Sequence, residues 1–310
     1  MAFLLVGVSV LSFVFLSIAP GNFLDEMRLD PSVAPETVAA LRAEYGLNRS
    51  VGVKYERWLK ALAHGDLGYS FAYNQSAASL LWPRARNTLL PTSIATALSW
   101  LVALPIGIRS AEREGRFDDH LLSAASGTLL ALPDLLVVIG LLLIAAKTNW
   151  VPTGGMTSVD FDDFDTRGKI VDLAAHLALP VTALVLVTLP ILARNVRDAM
   201  VKALREPFLR AAEGHGISRT RLLLRYALPV AANPLISLFG FSVGALLSCS
   251  LLVEIILGWP GLGPLLLEAI LSRDIFLVIG AVMFSTIFLV GGNFLADLLL
   301  YWNDPRIRIE

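Results

Sequence analysis

The chain has 310 residues, 55% hydrophobic and 16% charged, whereas a soluble domain carries about 25% charged residues. That balance excludes an ordinary soluble domain. A net charge of −1 with no basic stripe excludes a nucleic-acid partner, and a single cysteine, Cys249, excludes an internal disulfide.

A bilayer core about 30 Å thick takes roughly 20 apolar residues per helix. Six segments meet that requirement: 2–18, 89–108, 121–146, 173–193, 230–253 and 275–296. Lipid leaves no partner for open backbone groups, so each is predicted to be a helix. Pro105, Pro180, Pro190 and Pro234 lie in or near these runs as kinks that neighbouring helices absorb.

The first segment lacks a basic n-region, and Pro20 follows its only small-residue cleavage position, Ala19. It therefore reads as a membrane anchor rather than a signal peptide, with a short basic leader expected ahead of it. Residues 21–87 follow as a folded outer segment. Pro35 and Glu36 open one amphipathic helix that ends at Gly46. A second, over 53–63, puts Tyr55, Trp58, Leu59 and Leu62 on one face and stops near His64 and Gly65.

The third segment contains the one charge found in any of the six, Asp134, directly after Pro133. An ionisable group at membrane depth is a functional candidate, here one for the lining of a pathway through the bundle. The simpler reading is that Asp134 caps a helix start or reaches an Arg. Glu254 and Asp297 lie near span ends and need not be deep. The outer run Asp160–Asp165 lacks the glycine and distal Glu of an EF-hand and reads as a solvated loop. His176, with no His or Cys near it in sequence, reads as interface packing rather than a metal ligand, and Cys249 as a small packing residue.

Between the fourth and fifth segments lies the most patterned loop, 196–228. Glu206 and Pro207 start a short helix through Phe208, Leu209, Arg210, Ala211, Ala212 and Glu213, which Gly214, His215 and Gly216 break. Ser218 is a candidate cap for a second helix carrying Arg219, Arg221 and Arg225 outside the bilayer. Such a loop suits mechanical coupling to a partner protein; it equally suits a helix resting on lipid headgroups. The pattern alone leaves both open. Basic residues concentrate in this loop, beside Arg109, Arg113 and Arg116 after the second span, and at Arg306 and Arg308. The positive-inside rule therefore places these loops and both termini in the cytoplasm. After the fifth span, Gly258 to Gly263, including Trp259, Pro260 and Gly261, reads as a folded-back outer loop with an exposed Trp259 that shapes the external end of a pathway.

At these residues the chain resembles the permease family of dipeptide, oligopeptide and nickel importers of the ATP-binding-cassette type. Glu206, Phe208, Leu209, Arg210, Ala211, Ala212 and Gly216, then Leu222 to Arg225, Ala227 and Pro234, follow that family's cytoplasmic loop. The likeness runs along nearly the whole chain: Ala19-Pro20-Gly21, Tyr45-Gly46-Leu47, Gly65 to Ser70, Arg86-Asn87-Thr88, Val253-Glu254, Gly258 to Gly263 and Asp304 to Arg308. Glu213-Gly214 departs from the family's usual Arg-Ala.

The resemblance implies an all-α membrane protein with the type I importer permease fold: a first membrane helix over 1–20, an extracytoplasmic segment over 21–87, a permease core over 88–302 and a cytoplasmic tail over 303–310. It implies one half of a pathway in the bacterial inner membrane, paired with a second, homologous permease, docked on two ATP-binding-cassette ATPase subunits through Glu206 to Gly216, and fed by an extracytoplasmic substrate-binding protein. The chain has no G-x-x-x-x-G-K-[ST] loop, so ATP and Mg²⁺ are expected on the partner ATPases, with no cofactor and no catalysis here. Small peptides are the expected cargo, with nickel or another small solute as the alternative. An ion-coupled secondary transporter is the rival; paired mid-membrane ionisable residues would mark it.

Overall fold

The computed structural model describes residues 2–18, 36, 40 and 50–303. The helix expected over 35–46 falls outside these apart from residues 36 and 40, and so does the tail over 304–310.

The described chain is helical almost throughout. Its helices are α1 (Ala2–Ile18), α2 (Val51–Ala63), α3 (Ala77–Glu112), α4 (Phe117–Ala131), α5 (Asp134–Thr148), α6 (Thr166–Leu204), α7 (Pro207–Gly214), α8 (Arg219–Ile256), α9 (Leu262–Leu271) and α10 (Ile275–Asn303). A two-residue hairpin, β1 (Tyr69–Ser70) with β2 (Gln75–Ser76), pairs Tyr69 with Ser76 and Ser70 with Gln75. Helices α3, α6, α8 and α10 are each long and apolar enough to cross a membrane. The third expected span is a pair, α4 and α5, bent by 96°. Pro133 causes the break, because it forces Leu132 to extended backbone at φ −85°, ψ 130°. α1, also apolar, has 17 residues, fewer than the four long helices.

The chain folds as two compact units. The larger, 89–259 with 288–310, holds two apolar cores. In one, Leu246, Val253, Leu257 and Trp259 meet Leu177, Leu179, Ala183 and Leu184 of α6, with Val138 and Ala145 of α5 and Ala95 of α3. Trp259 is fully buried there. The expectation of an exposed Trp259 is thus corrected: the turn at Gly258 (φ +61°) folds the indole inward. Glu254 is also buried, at 2% exposure. Helices approach closely where side chains vanish. A Cβ on Gly107 would lie 2.7 Å from Val196, and one on Gly240 would lie 2.9 Å from Ala296.

At the start of α6, Asp165 accepts a bond from Gly168 N–H at 2.8 Å and caps the helix. Part of the acidic run therefore does capping work. His176 is buried, with Nδ1 2.9 Å from the Asp172 carbonyl. No cluster of three or more metal-ligating side chains occurs among the described residues.

The smaller unit, 1–88 with 260–287, is knit by aromatics and one carboxylate. Phe13 of α1 meets Tyr55 and Trp58 of α2 at ring-centroid distances of 5.3 and 5.2 Å, beside Ile279 and Met283. Leu59, expected on this face, is exposed instead. The hairpin is held by Asp274, which is fully buried and accepts from Ser70 Oγ at 2.7 Å, Ala72 N–H at 3.2 Å and Leu277 N–H at 3.3 Å. Tyr73 O–H donates to Glu268 of α9. Burial and that carboxylate push the phenol up to about 12, so it stays a donor at any physiological pH. Asn87 donates to the Pro260 carbonyl at 2.8 Å, and Thr88 Oγ accepts Leu262 N–H at 2.8 Å, fixing where α9 starts.

Candidate functional site: the α6–α8 elbow

Helix α7 starts after Glu206, whose extended backbone (φ −62°, ψ 136°) and carbonyl receive the N–H groups of Leu209 and Arg210. Pro207 sits in the first turn, where a missing N–H costs nothing. The helix spans 8 residues, too few to be stable alone. Leu209 supplies the anchor. At 1% exposure it packs among Val196, Met200 and Ala203 of α6 and Leu222, Leu223 and Ala227 of α8.

The opposite face is open: Glu206, Phe208, Arg210, Ala211 and Glu213 are exposed, and Ala212 is half-buried. Of the residues expected to meet a partner, Leu209 is the one turned inward. The helix ends at Gly214, and Gly216 just beyond it turns the chain at φ +78°, a left-handed position that glycine adopts without strain. Ser218 then stands at the next N-cap without a side-chain capping bond.

The second helix expected in this loop is not a separate element. From Arg219 it runs through a π turn at Leu223–Ala227 straight into the fifth span and ends at Ile256. α6 likewise extends past its apolar run to Leu204. The two long helices therefore leave the apolar region as rigid rods, and α7 bridges them.

Ion pairs brace this elbow to the α3–α4 turn. Arg197 of α6 holds Asp119 bidentately at 2.8 and 2.9 Å, and Asp119 also accepts from Ser110 Oγ at 2.8 Å and Gly115 N–H at 2.9 Å. Arg205 meets Glu114 at 2.8 Å. Arg219 reaches Glu112 at 3.3 Å and Glu213 at 3.2 Å. Arg109 and Arg113 share Asp118. Much of the positive charge that the positive-inside rule counts is thus structural. The sequence hides this brace, because its partners lie 78, 91 and 107 residues apart and no local pattern marks them.

The pathway candidates fall in both units, Asp134, Glu254 and Trp259 in the larger and Pro260 and Gly261 in the smaller. Asp134 opens α5 and is exposed, Glu254 and Trp259 are buried, and Pro260 and Gly261 lead into α9.

Residues 103–309, which contain this elbow entire, match the family model described as binding-protein-dependent transport system inner membrane component. The chain belongs to that family. The oligopeptide transport system permease protein AppB of Bacillus subtilis is 31% identical over 307 residues, covering 98% of this chain and 95% of that one. The dipeptide transport system permease protein DppB of Escherichia coli K12 is 30% identical over 323 residues, covering 98% and 94%. A solved structure of the MetNI methionine ABC transporter superposes with a TM-score of 0.59 at 15% identity, over 73% of this chain and 96% of that one, and shares the fold. The protein is a multi-pass inner-membrane component of a transport system, and its fold is the type I importer permease fold expected from the sequence.

Proposed function

We propose that this chain is one permease half of an ATP-driven importer of small peptides. It pairs with a second, homologous permease, receives cargo from an extracytoplasmic binding protein, and keeps both termini in the cytoplasm. ATP and Mg²⁺ bind on two partner ATPase subunits. The observation that carries this reading is the construction of the elbow. A short helix with one buried anchor and an open face bridges two rods, so a push on Glu206, Phe208 or Arg210 moves α6 and α8 together. Close packing in the core transmits such shifts as rigid-body motion rather than absorbing them. The extent of the permease core (88–302), with its outer segment (21–87), follows from the same reading, as does peptide cargo, which rests on the roles named for AppB and DppB.

The test is uptake of a radiolabelled dipeptide by the reconstituted complex. Glu206→Ala and Gly216→Val are expected to abolish ATP-dependent uptake and weaken ATPase co-purification while membrane insertion stays intact. Gly216→Val forces a β-branched residue into left-handed backbone. Wild-type uptake in both variants would remove the elbow from the coupling path.

A further inference from the structure

Asp134 stands where a carboxylate is hardest to keep. It opens α5 at the 96° break and is exposed. Neither of the two ordinary roles expected for it is filled among the described residues. The α5 start has no side-chain capping bond, and the N–H groups of Leu136 and Val137 turn to the Pro133 carbonyl instead. Among the described residues, the polar partner of Asp134 is the Cys249 thiol, which donates to Oδ2 at 3.6 Å.

That contact also fixes its depth. Cys249 lies on α8, about 10 Å along the helix from the end at Ile256 and about 33 Å from the nearer end of the π turn, at 1.5 Å per residue. Asp134 is therefore level with the apolar run of α8, inside its end at residue 253. A carboxylate facing hydrocarbon there is costly, and such groups face cavities, water or a counter-charge. The partial positive charge at the start of α5 offsets part of that cost but supplies no counter-ion. Ser248, exposed beside Cys249 on α8, adds a second polar group to the same surface.

We infer that the Asp134 surface lines the water-filled translocation pathway, and that its carboxylate is a station for the ammonium group of the cargo. This rests on the import reading above. A peptide at neutral pH carries one protonated amino terminus whatever its side chains. A single exposed carboxylate attracts that group without selecting the rest. Sequence selectivity then falls to other parts of the system, and Asp134 sets charge preference and flow.

The lone cysteine makes the surface testable in the complete complex. With cysteine-free partners, the assembly in liposomes is exposed to cationic and anionic methanethiosulfonates of equal size, and label is read by mass on this chain. The cationic reagent is expected to react about tenfold faster, as a negative cleft concentrates cations. The preference should fall towards unity in Asp134→Asn, and in wild type at 1 M salt, where screening removes it. The salt arm needs no variant to fold. Failure of both reagents to react would mean a dry lipid-facing or subunit-facing surface and would end the proposal. So would a preference that ignores both salt and the substitution.

Uptake of dialanine gives the cargo arm. Asp134→Asn should lose about tenfold and Asp134→Glu should retain the wild-type rate. Wild-type uptake in Asp134→Asn would overturn the ammonium role. The labelling arm needs no cargo, so a wild-type complex that labels as expected but imports no peptide would refute the peptide reading alone.

Discussion

Asp119 and Asp274 are both buried carboxylates that hold a turn in place, yet they are stabilised by different chemistry. Asp119, at the start of α4, meets a guanidinium in a two-toothed pair and adds two neutral donors. Asp274, before α10, takes one hydroxyl and two backbone N–H groups. The first arrangement ties its charge to one side chain far along the chain. The second spreads it over three neutral donors, two of them in a hairpin more than 200 residues away. A cation can be deleted by one substitution, whereas a backbone donor cannot. The elbow brace is thus the more brittle of the two to mutation, and the Asp274 clamp the more tolerant.

The largest expected effect follows from removing Asp119. Asp119→Ala leaves Arg197, whose side chain is 24% exposed, with only Asp198 and a distant Glu114 for company. Loss of one partner of a largely buried pair costs about 3 kcal/mol, read as a lowered thermal midpoint of the purified protein. Arg197→Met with Asp119→Leu should recover most of it, since a well-packed apolar pair replaces a buried ion pair at little cost.

The Asp274 clamp should yield less. Asp274→Ala strands Ser70 Oγ and the N–H groups of Ala72 and Leu277, at about 2 kcal/mol in total, because several of these donors can turn to water. The loss is expected as local opening, seen as faster hydrogen exchange at Ala72 and faster cleavage within residues 71–74. Asp274→Asn, which keeps an acceptor oxygen, should lose about half as much. A global loss equal to that of Asp119→Ala would mean that backbone donors and guanidinium hold a buried carboxylate equally firmly.

How much of this is legible in the sequence depends on range. The long apolar runs read directly, because hydropathy is local, and so does the α7 start at Glu206-Pro207. The Pro133 break is visible as a residue type but not as a 96° bend, since the angle depends on how α4 and α5 each pack. The continuity of the Arg219 helix into the fifth span is hidden by its arginines, which read as an element outside the bilayer. Trp259 is misplaced by the sequence pattern because glycine-rich turns are usually exposed; its burial depends on α6 side chains more than 70 residues away. The ion-pair brace is invisible for the same reason. Positive charge can be counted along a chain, but not assigned to partners.

The smallest expected effect separates the two kinds of pairing within the elbow itself. Arg219 also bridges two acids, Glu112 and Glu213, yet its side chain is 40% exposed and theirs are 32% and 59% exposed. Water already solvates all three groups, and holding long side chains together costs entropy. Such pairs contribute about 0.5 kcal/mol or less. Arg219→Gln should therefore leave the thermal midpoint almost unchanged and abolish what little salt dependence the pairs confer. Its contrast with Asp119→Ala tests burial, because both variants remove a charge from an ion pair in the same part of the chain, one largely buried and one exposed. If Arg219→Gln destabilised the protein as much as Asp119→Ala, exposure would not be what ranks these bonds, and the elbow would be held by its charge network as a whole rather than by the Leu209 anchor and the single buried pair.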